Sequence, residues 1–146
     1  MISIASDHGG YCLKEHIKAY LTAKGINVLD CGCDSQESCD YPIFAKAAAE
    51  AVADGRCEKG IVICTTGIGV SITANKIKGI RCALLSDLMS ARLTREHNDT
   101  NMMAIGAGVT GEMLALEIVD TWLGTEFSHA ERHQRRIDKV MALENN

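Results

Sequence analysis

A single proline and an aromatic complement of two Phe, three Tyr and one Trp set this 146-residue chain apart at first reading. A core this poor in rings must be built from Ile, Val, Leu, Ala and Met. No stretch reaches the roughly 18 apolar residues that a membrane span requires. Basic residues are also scarce: 15 Lys and Arg stand against 19 Asp and Glu, a net charge of −4. That balance argues against binding the phosphate backbone of nucleic acid, which calls for a basic face. It leaves room for a small anion, which needs only a few local positive groups. The opening Met1-Ile-Ser-Ile-Ala-Ser-Asp7-His8 has no basic region before an apolar stretch, so no secretory leader is expected and the setting is expected to be cytoplasmic.

What the chain does contain is 47% hydrophobic residues and 23% charged ones, which excludes disorder. The length suits one domain over residues 1–146 with one well-buried core. Seven cysteines are an odd number, and in a reducing compartment most serve as small hydrophobes. Cys31, Cys33 and Cys39 crowd one loop without the spacing of a zinc site, so no metal is expected there.

Short apolar runs alternate with longer stretches of helical period. Residues 2–5 predict a strand. Leu13, Ile17 and Leu21, four apart, predict a helix over residues 10–24 that Gly25 stops. A second short strand is expected at 27–30, then a polar connection over 31–40. Pro42 suits the first turn of a helix running to Ala53. The all-apolar residues 60–64 read as a strand buried on both faces. A turn follows at 65–69, then a helix over 70–77. Further strands are expected at 81–85 and 102–105, and further helices at 87–96, 112–123 and 130–143. This alternation predicts an α/β fold, a five-stranded parallel sheet with helices on both faces. Ligands of such sheets sit beyond the carboxyl ends of the strands. Polar residues follow three of the expected strands: Asp7-His8, Cys64-Thr65-Thr66 and Ser86-Asp87.

The segment Cys64-Thr65-Thr66-Gly67-Ile68-Gly69-Val70-Ser71 carries the most information. Two glycines at alternate positions let backbone N–H groups converge, and the helix that follows adds its partial positive charge, which makes an anion cradle. A dinucleotide fingerprint would need Gly at position 72, which is Ile, and no Gly-Lys-Ser/Thr completes a P-loop. Asp87 keeps a ribose-binding acid open, and a plain strand-to-helix turn is the alternative to both. A thiol at a helix N-terminus can serve as nucleophile or general base, so Cys64 is a candidate for either, or for a buried structural thiol. Asp7-His8 offers a capping acid and a solvated imidazole, or an acceptor paired with a phosphate-binding group. His97-Asn98-Asp99 has the same ambiguity. Arg132 and Arg136 lie four apart on one helix face. They could pair with Glu131 and Asp138, or clamp a phosphate.

These residues stand in the order of a known family. Ser6-Asp7-His8-Gly9-Gly10, Asp40-Tyr41-Pro42, Ile63-Cys64-Thr65-Thr66-Gly67-Ile68-Gly69 and Ala74-Asn75-Lys76 come first. Arg95-Glu96-His97-Asn98-Asp99-Thr100-Asn101 and Arg132-His133-Gln134-Arg135-Arg136 follow. Over nearly the whole chain the pattern resembles the ribose-5-phosphate isomerase B family, which includes galactose-6-phosphate and allose-6-phosphate isomerases. The resemblance implies a Rossmann-like α/β/α sandwich, a homodimer or dimer of dimers with active sites at the subunit interface, and no cofactor, metal or nucleotide. By that resemblance Cys64 is the general base that moves a proton between C2 and C1 of an open-chain aldose phosphate. The amides of Thr65, Thr66, Gly67, Ile68 and Gly69 stabilise the enediolate, and Thr66 assists at the sugar oxygens. The same source assigns ring opening to His97 with Asp7 as helper, phosphate binding to His8, Arg132 and Arg136, and a hydroxyl contact to Asn98. It brings His97 and Asn98 from the partner subunit.

Two positions depart from the family pattern. Gly108 stands where many ribose-specific members carry Arg, and Thr65 where Gly is frequent. The first removes a phosphate contact and leaves room for another sugar; the second retains its amide and crowds the loop. The expected activity is conversion of ribose 5-phosphate to ribulose 5-phosphate, within pentose phosphate metabolism. A hexose 6-phosphate (allose or galactose) or a tetrose phosphate is the rival substrate. A non-catalytic sugar-phosphate-binding module is the other alternative, although such a module has no use for Cys64 or His97.

Overall fold

The computed structural model describes all 146 residues, Met1 to Asn146. Strands β1 (Ile2–Ser6), β2 (Val28–Asp30), β3 (Lys59–Cys64), β4 (Cys82–Leu84) and β5 (Met102–Gly106) form one parallel sheet in the order β2-β1-β3-β5-β4. Between them run α1 (Tyr11–Ala23), α2 (Tyr41–Ala53), α3 (Ile68–Asn75) and α4 (Leu88–Asn98). The helices α5 (Glu112–Gly124) and α6 (Glu131–Ala142) follow. The expected α/β class and all five strands are present.

The three central strands, β1, β3 and β5, are buried along almost their whole length because both faces of the sheet are covered. Alternation along each strand sends Ile4, Ile61, Ile63, Met103 and Ile105 to one face, where Leu13, Ile17, Leu21 and Trp122 of α1 and α5 fill the layer. Ala5, Val62, Cys64 and Ala104 point to the other face, against α2 and α3. Small residues on α2 (Ala45, Ala48 and Ala49) let it lie close to the sheet. The buried Ser3 hydroxyl donates to the Ala48 carbonyl at 2.9 Å. Helix α6 packs outside this sandwich, on α4.

The chain leaves β1 toward β2 through α1, then returns past β1 to β3 through α2. The connections on either side of the β1–β3 boundary run in opposite directions, which opens a crevice at the carboxyl ends of those strands. Asp7-His8 and Cys64-Thr65 flank it.

Helix α3 begins at Ile68, two residues before the expected start, because Gly67 turns the chain with φ of 78° and caps the helix. At the start of α4 the Asp87 carboxylate accepts the Ser90 N–H at 2.7 Å. It is a helix cap, which accounts for Ser86-Asp87 without a nucleotide.

Candidate active site

The loop after β3 is shaped by two glycines. A Cβ on Gly67 would meet the backbone of Ile105 at 2.8 Å, and one on Gly69 would run into the Tyr41 ring, with Cζ at 2.6 Å. With both side chains absent the loop folds back on the end of its own strand, and the Gly67 N–H donates to Cys64 Sγ at 3.2 Å. Such a bond strengthens when the sulfur carries negative charge. The Thr66 hydroxyl accepts the Ile68 N–H at 3.2 Å, and Thr65 and Thr66 are both exposed on the rim. Cys64, Thr65, Thr66, Gly69, Asp7 and Tyr41 surround an open hollow of about 440 Å³.

Asp7 ends β1 beside this loop. Its Oδ1 accepts the Gly10 N–H at 3.1 Å, which caps the short turn that launches α1. His8 is exposed, and its Nδ1 accepts the Cys39 N–H at 3.2 Å, which leaves Nε2 to face a ligand. Asp7 and Tyr41 also line the adjoining hollow around His8, so the two form one groove.

His97, Asn98, Arg132 and Arg136 lie elsewhere, around a cavity of about 970 Å³ between α4, α6 and the start of β4. Asn98 Oδ1 accepts the Thr94 hydroxyl at 3.2 Å, so its amide donor is left for a ligand. The carboxylates that could have neutralised the arginines are taken by other partners. Glu131 pairs with Arg135 at 3.2 Å, and Asp138 accepts from Gln134 at 2.8 Å. Neither Arg132 nor Arg136 makes an ion pair or a side-chain hydrogen bond, and both are exposed. Two unneutralised guanidiniums on one helix face form a receptor for a dianion.

One chain cannot join the two groups of residues. Cys64 pairs with Gly106 at the carboxyl end of β5, whereas His97 and Asn98 end a helix that has run back to the strand's amino end, where Gly60 pairs with Met102. Four residue steps of strand, at about 3.3 Å each, put about 13 Å of sheet between those two levels. Asp7 and His8 therefore stand with Cys64 and not with His97, Arg132 and Arg136.

A model of the ribose/galactose isomerase family matches residues 2–140. The chain belongs to this family. Ribose-5-phosphate isomerase B of Escherichia coli is 47% identical over 143 residues, which span 98% of this chain and 95% of that protein. The structure of Clostridium thermocellum ribose-5-phosphate isomerase B is 51% identical, covers 99% of this chain and 97% of its own, and superposes with a TM-score of 0.97. That of Mycoplasma genitalium ribose-5-phosphate isomerase B, with bound ribulose-5-phosphate, is 39% identical with a TM-score of 0.93, covering 99% and 96%. The fold and the enzyme class, an isomerase of sugar phosphates, stand with that membership.

Two residues that line these hollows carry no assigned role in the sequence. Tyr41 contributes its ring to both parts of the groove; the Tyr-Pro pair at a helix start is visible in the sequence, but its contact with Gly69 is not. His133 is buried under the cavity against His97, and its place four residues before the core residue Ile137 is the available signal. Four of the other thiols are held protonated by their surroundings. Burial pushes up those of Cys31, Cys39 and Cys57, and that of Cys82 to about 12.

Proposed function

We propose that the protein interconverts an aldose phosphate and its ketose at sites shared by two copies of the chain. One copy supplies Cys64, the amides of residues 65–69, Asp7 and His8. The other supplies His97, Asn98, Arg132 and Arg136. The observation that carries this reading is the Gly67 N–H held on Cys64 Sγ inside a loop of convergent amides.

In the reaction His97 gives a proton to the ring oxygen as the bond from that oxygen to C1 breaks, and Asp7 beside it takes the proton of the C1 hydroxyl, which leaves the open-chain aldehyde. Cys64, as thiolate, takes the proton from C2 while the C1 carbonyl oxygen gains the electron pair. The resulting enediolate oxygen meets the backbone dipoles of the cradle. The same thiol returns its proton to C1, the O2 proton moves to O1 past Thr66, and a ketose results. Arg132, Arg136 and His8 hold the phosphate throughout, and Asn98 binds a hydroxyl.

Ribose 5-phosphate and ribulose 5-phosphate are the substrate pair this reading favours, supported by the likeness to the Escherichia coli enzyme and to the Mycoplasma protein with bound ribulose-5-phosphate. Gly108 favours a second substrate reading. It is exposed beside Thr65, to whose carbonyl its N–H donates at 2.8 Å, and it leaves the rim open for a longer sugar phosphate. A cytoplasmic setting fits seven free thiols. No helix is long and apolar enough to cross a membrane.

The test is Cys64→Ser. A hydroxyl yields no anion at neutral pH, so turnover should fall by about 100- to 10,000-fold while sugar-phosphate binding persists. Near-normal turnover would refute Cys64 as the base.

A further inference from the structure

His97 does not stand alone at the cavity. The His133 imidazole lies against it with ring centroids 4.3 Å apart and planes inclined by 36°. His133 is only 7% exposed, on the inner face of α6, and its Nδ1 shares a 2.8 Å hydrogen bond with the Ser128 hydroxyl. Ser128 is itself tied down. Its N–H donates to the carbonyl of Glu96, the residue before His97, at 3.2 Å, and its hydroxyl accepts the Ala130 N–H at 3.2 Å. The His133 ring is thus a plate anchored to the same turn that presents His97.

The groups that face His133 are His97 and Glu96 from α4, Arg132 and Arg136 from its own helix, and Ser128 from the preceding loop. Burial, with His97, Arg132 and Arg136, pushes its pKa below the ordinary imidazole range, against the pull of Glu96. An uncharged ring neither repels a protonated His97 nor competes with the arginines for the phosphate.

We propose that His133 is a positioning residue: its ring face holds the His97 imidazole in the orientation that opens the cyclic sugar, and it takes no part in the C2–C1 proton transfer. This rests on the reading of His97 as the ring-opening group. A misplacement of about 1 Å in such a group costs about 100-fold in rate.

Isomerisation of ribose 5-phosphate and proton exchange at C1 of ribulose 5-phosphate separate these roles. Ribose 5-phosphate is cyclic and must be opened. Ribulose 5-phosphate is acyclic, because phosphate on O5 prevents closure of a five-membered ring. His133→Asn keeps a partner for Ser128 and removes the ring face. It should lower kcat/KM for ribose 5-phosphate by about 100-fold while exchange of a C1 proton of ribulose 5-phosphate with solvent deuterium, which needs no ring opening or closure, changes only a few-fold. His133→Phe keeps the face and should restore most of the loss. Equal loss of isomerisation and of exchange, or loss of neither, overturns the positioning role when His97→Asn shows the ribose-specific loss. His97→Asn without that asymmetry overturns instead the reading of His97 itself. If circular dichroism shows the Asn variant unfolded, the Phe variant decides. A wild-type ratio of the two rates supports the proposal, and a ribose-specific loss overturns it.

Discussion

Two variants that are each inactive should restore activity when their subunits are mixed. Cys64→Ser removes the proposed base, and His97→Asn removes the proposed ring-opening group, in halves of the site that lie about 13 Å of sheet apart within one chain. If each site takes one half from each copy, a dimer of one variant with the other holds one intact site and one site lacking both groups. Random exchange of equal amounts makes about half of all dimers mixed, each with one working site of two, so the mixture should reach about a quarter of wild-type activity per subunit. The single variants retain no more than about a hundredth, by the usual worth of an acid–base group, so the gain stands well above background. The assay is the initial rate of ribulose 5-phosphate formation after the variants are unfolded together and refolded, with separately refolded variants as controls. A mixture no faster than the mean of its components would show that both groups act within one chain, and the shared site would be wrong.

Three further outcomes follow from particular contacts. Lys14 is fully buried and donates to Asp30 at 2.7 and 2.8 Å and to the Cys33 carbonyl at 2.8 Å, so Lys14→Met should cost about 3 kcal/mol in denaturant unfolding. Burial works to raise the Asp30 pKa, but Lys14, Lys18 and the Gly32 N–H outweigh it and hold it below the ordinary value near 3.8. Its stabilisation is therefore complete above that value and is lost as pH falls through the lowered one, which acid unfolding of wild type and Lys14→Met should reveal as a difference that closes in that window. Gly67→Ala should cost about 2 kcal/mol or more, from a positive φ and a clash with the Ile105 backbone, and should lower kcat as the amide leaves Cys64 Sγ; unchanged kcat would remove that N–H from the mechanism. Gly108→Arg should lower KM for ribose 5-phosphate about tenfold by adding a charged hydrogen bond, with Thr65 Cγ2 at 3.0 Å from the new Cβ shifting slightly; an unchanged KM would show that Gly108 is not the missing phosphate contact.

The strands and helices were legible because each announces itself locally. Residues 60–64 are apolar without a break since both faces are covered, and Leu13, Ile17 and Leu21 mark one stripe of a helix. The fate of Arg132 and Arg136 was equally open to reading. Residues three and four away from them are Ser128, His129, His133, Arg135, Lys139, Val140 and each other, none of them acidic. Glu131 and Asp138, one and two positions off, point elsewhere on the helix. That spacing weighs against pairing with Glu131 or Asp138. The approach of Tyr41 to Gly69 and the stack of His133 on His97 depend on how separate elements dock, which no local spacing encodes. The order β2-β1-β3-β5-β4 is of the same kind.

The division of the candidate site has a topological cause. In a parallel sheet every crossover helix returns the chain to the amino edge, so a residue just past a strand and a residue at the end of the next helix lie at opposite edges of the same copy. Chemistry that needs both must use two copies. The ground around the Cys64 hollow suits that arrangement. Ile68 and Ile72 on α3 line the hollow and are exposed to 50% and 56%, apolar surface that a second copy would remove from water. Closing that surface would also dry the cradle, where fixed N–H dipoles act on an enediolate far more strongly than they do in water. In the proposed dimer, association therefore completes the list of residues and lowers the dielectric around the charge those residues must stabilise.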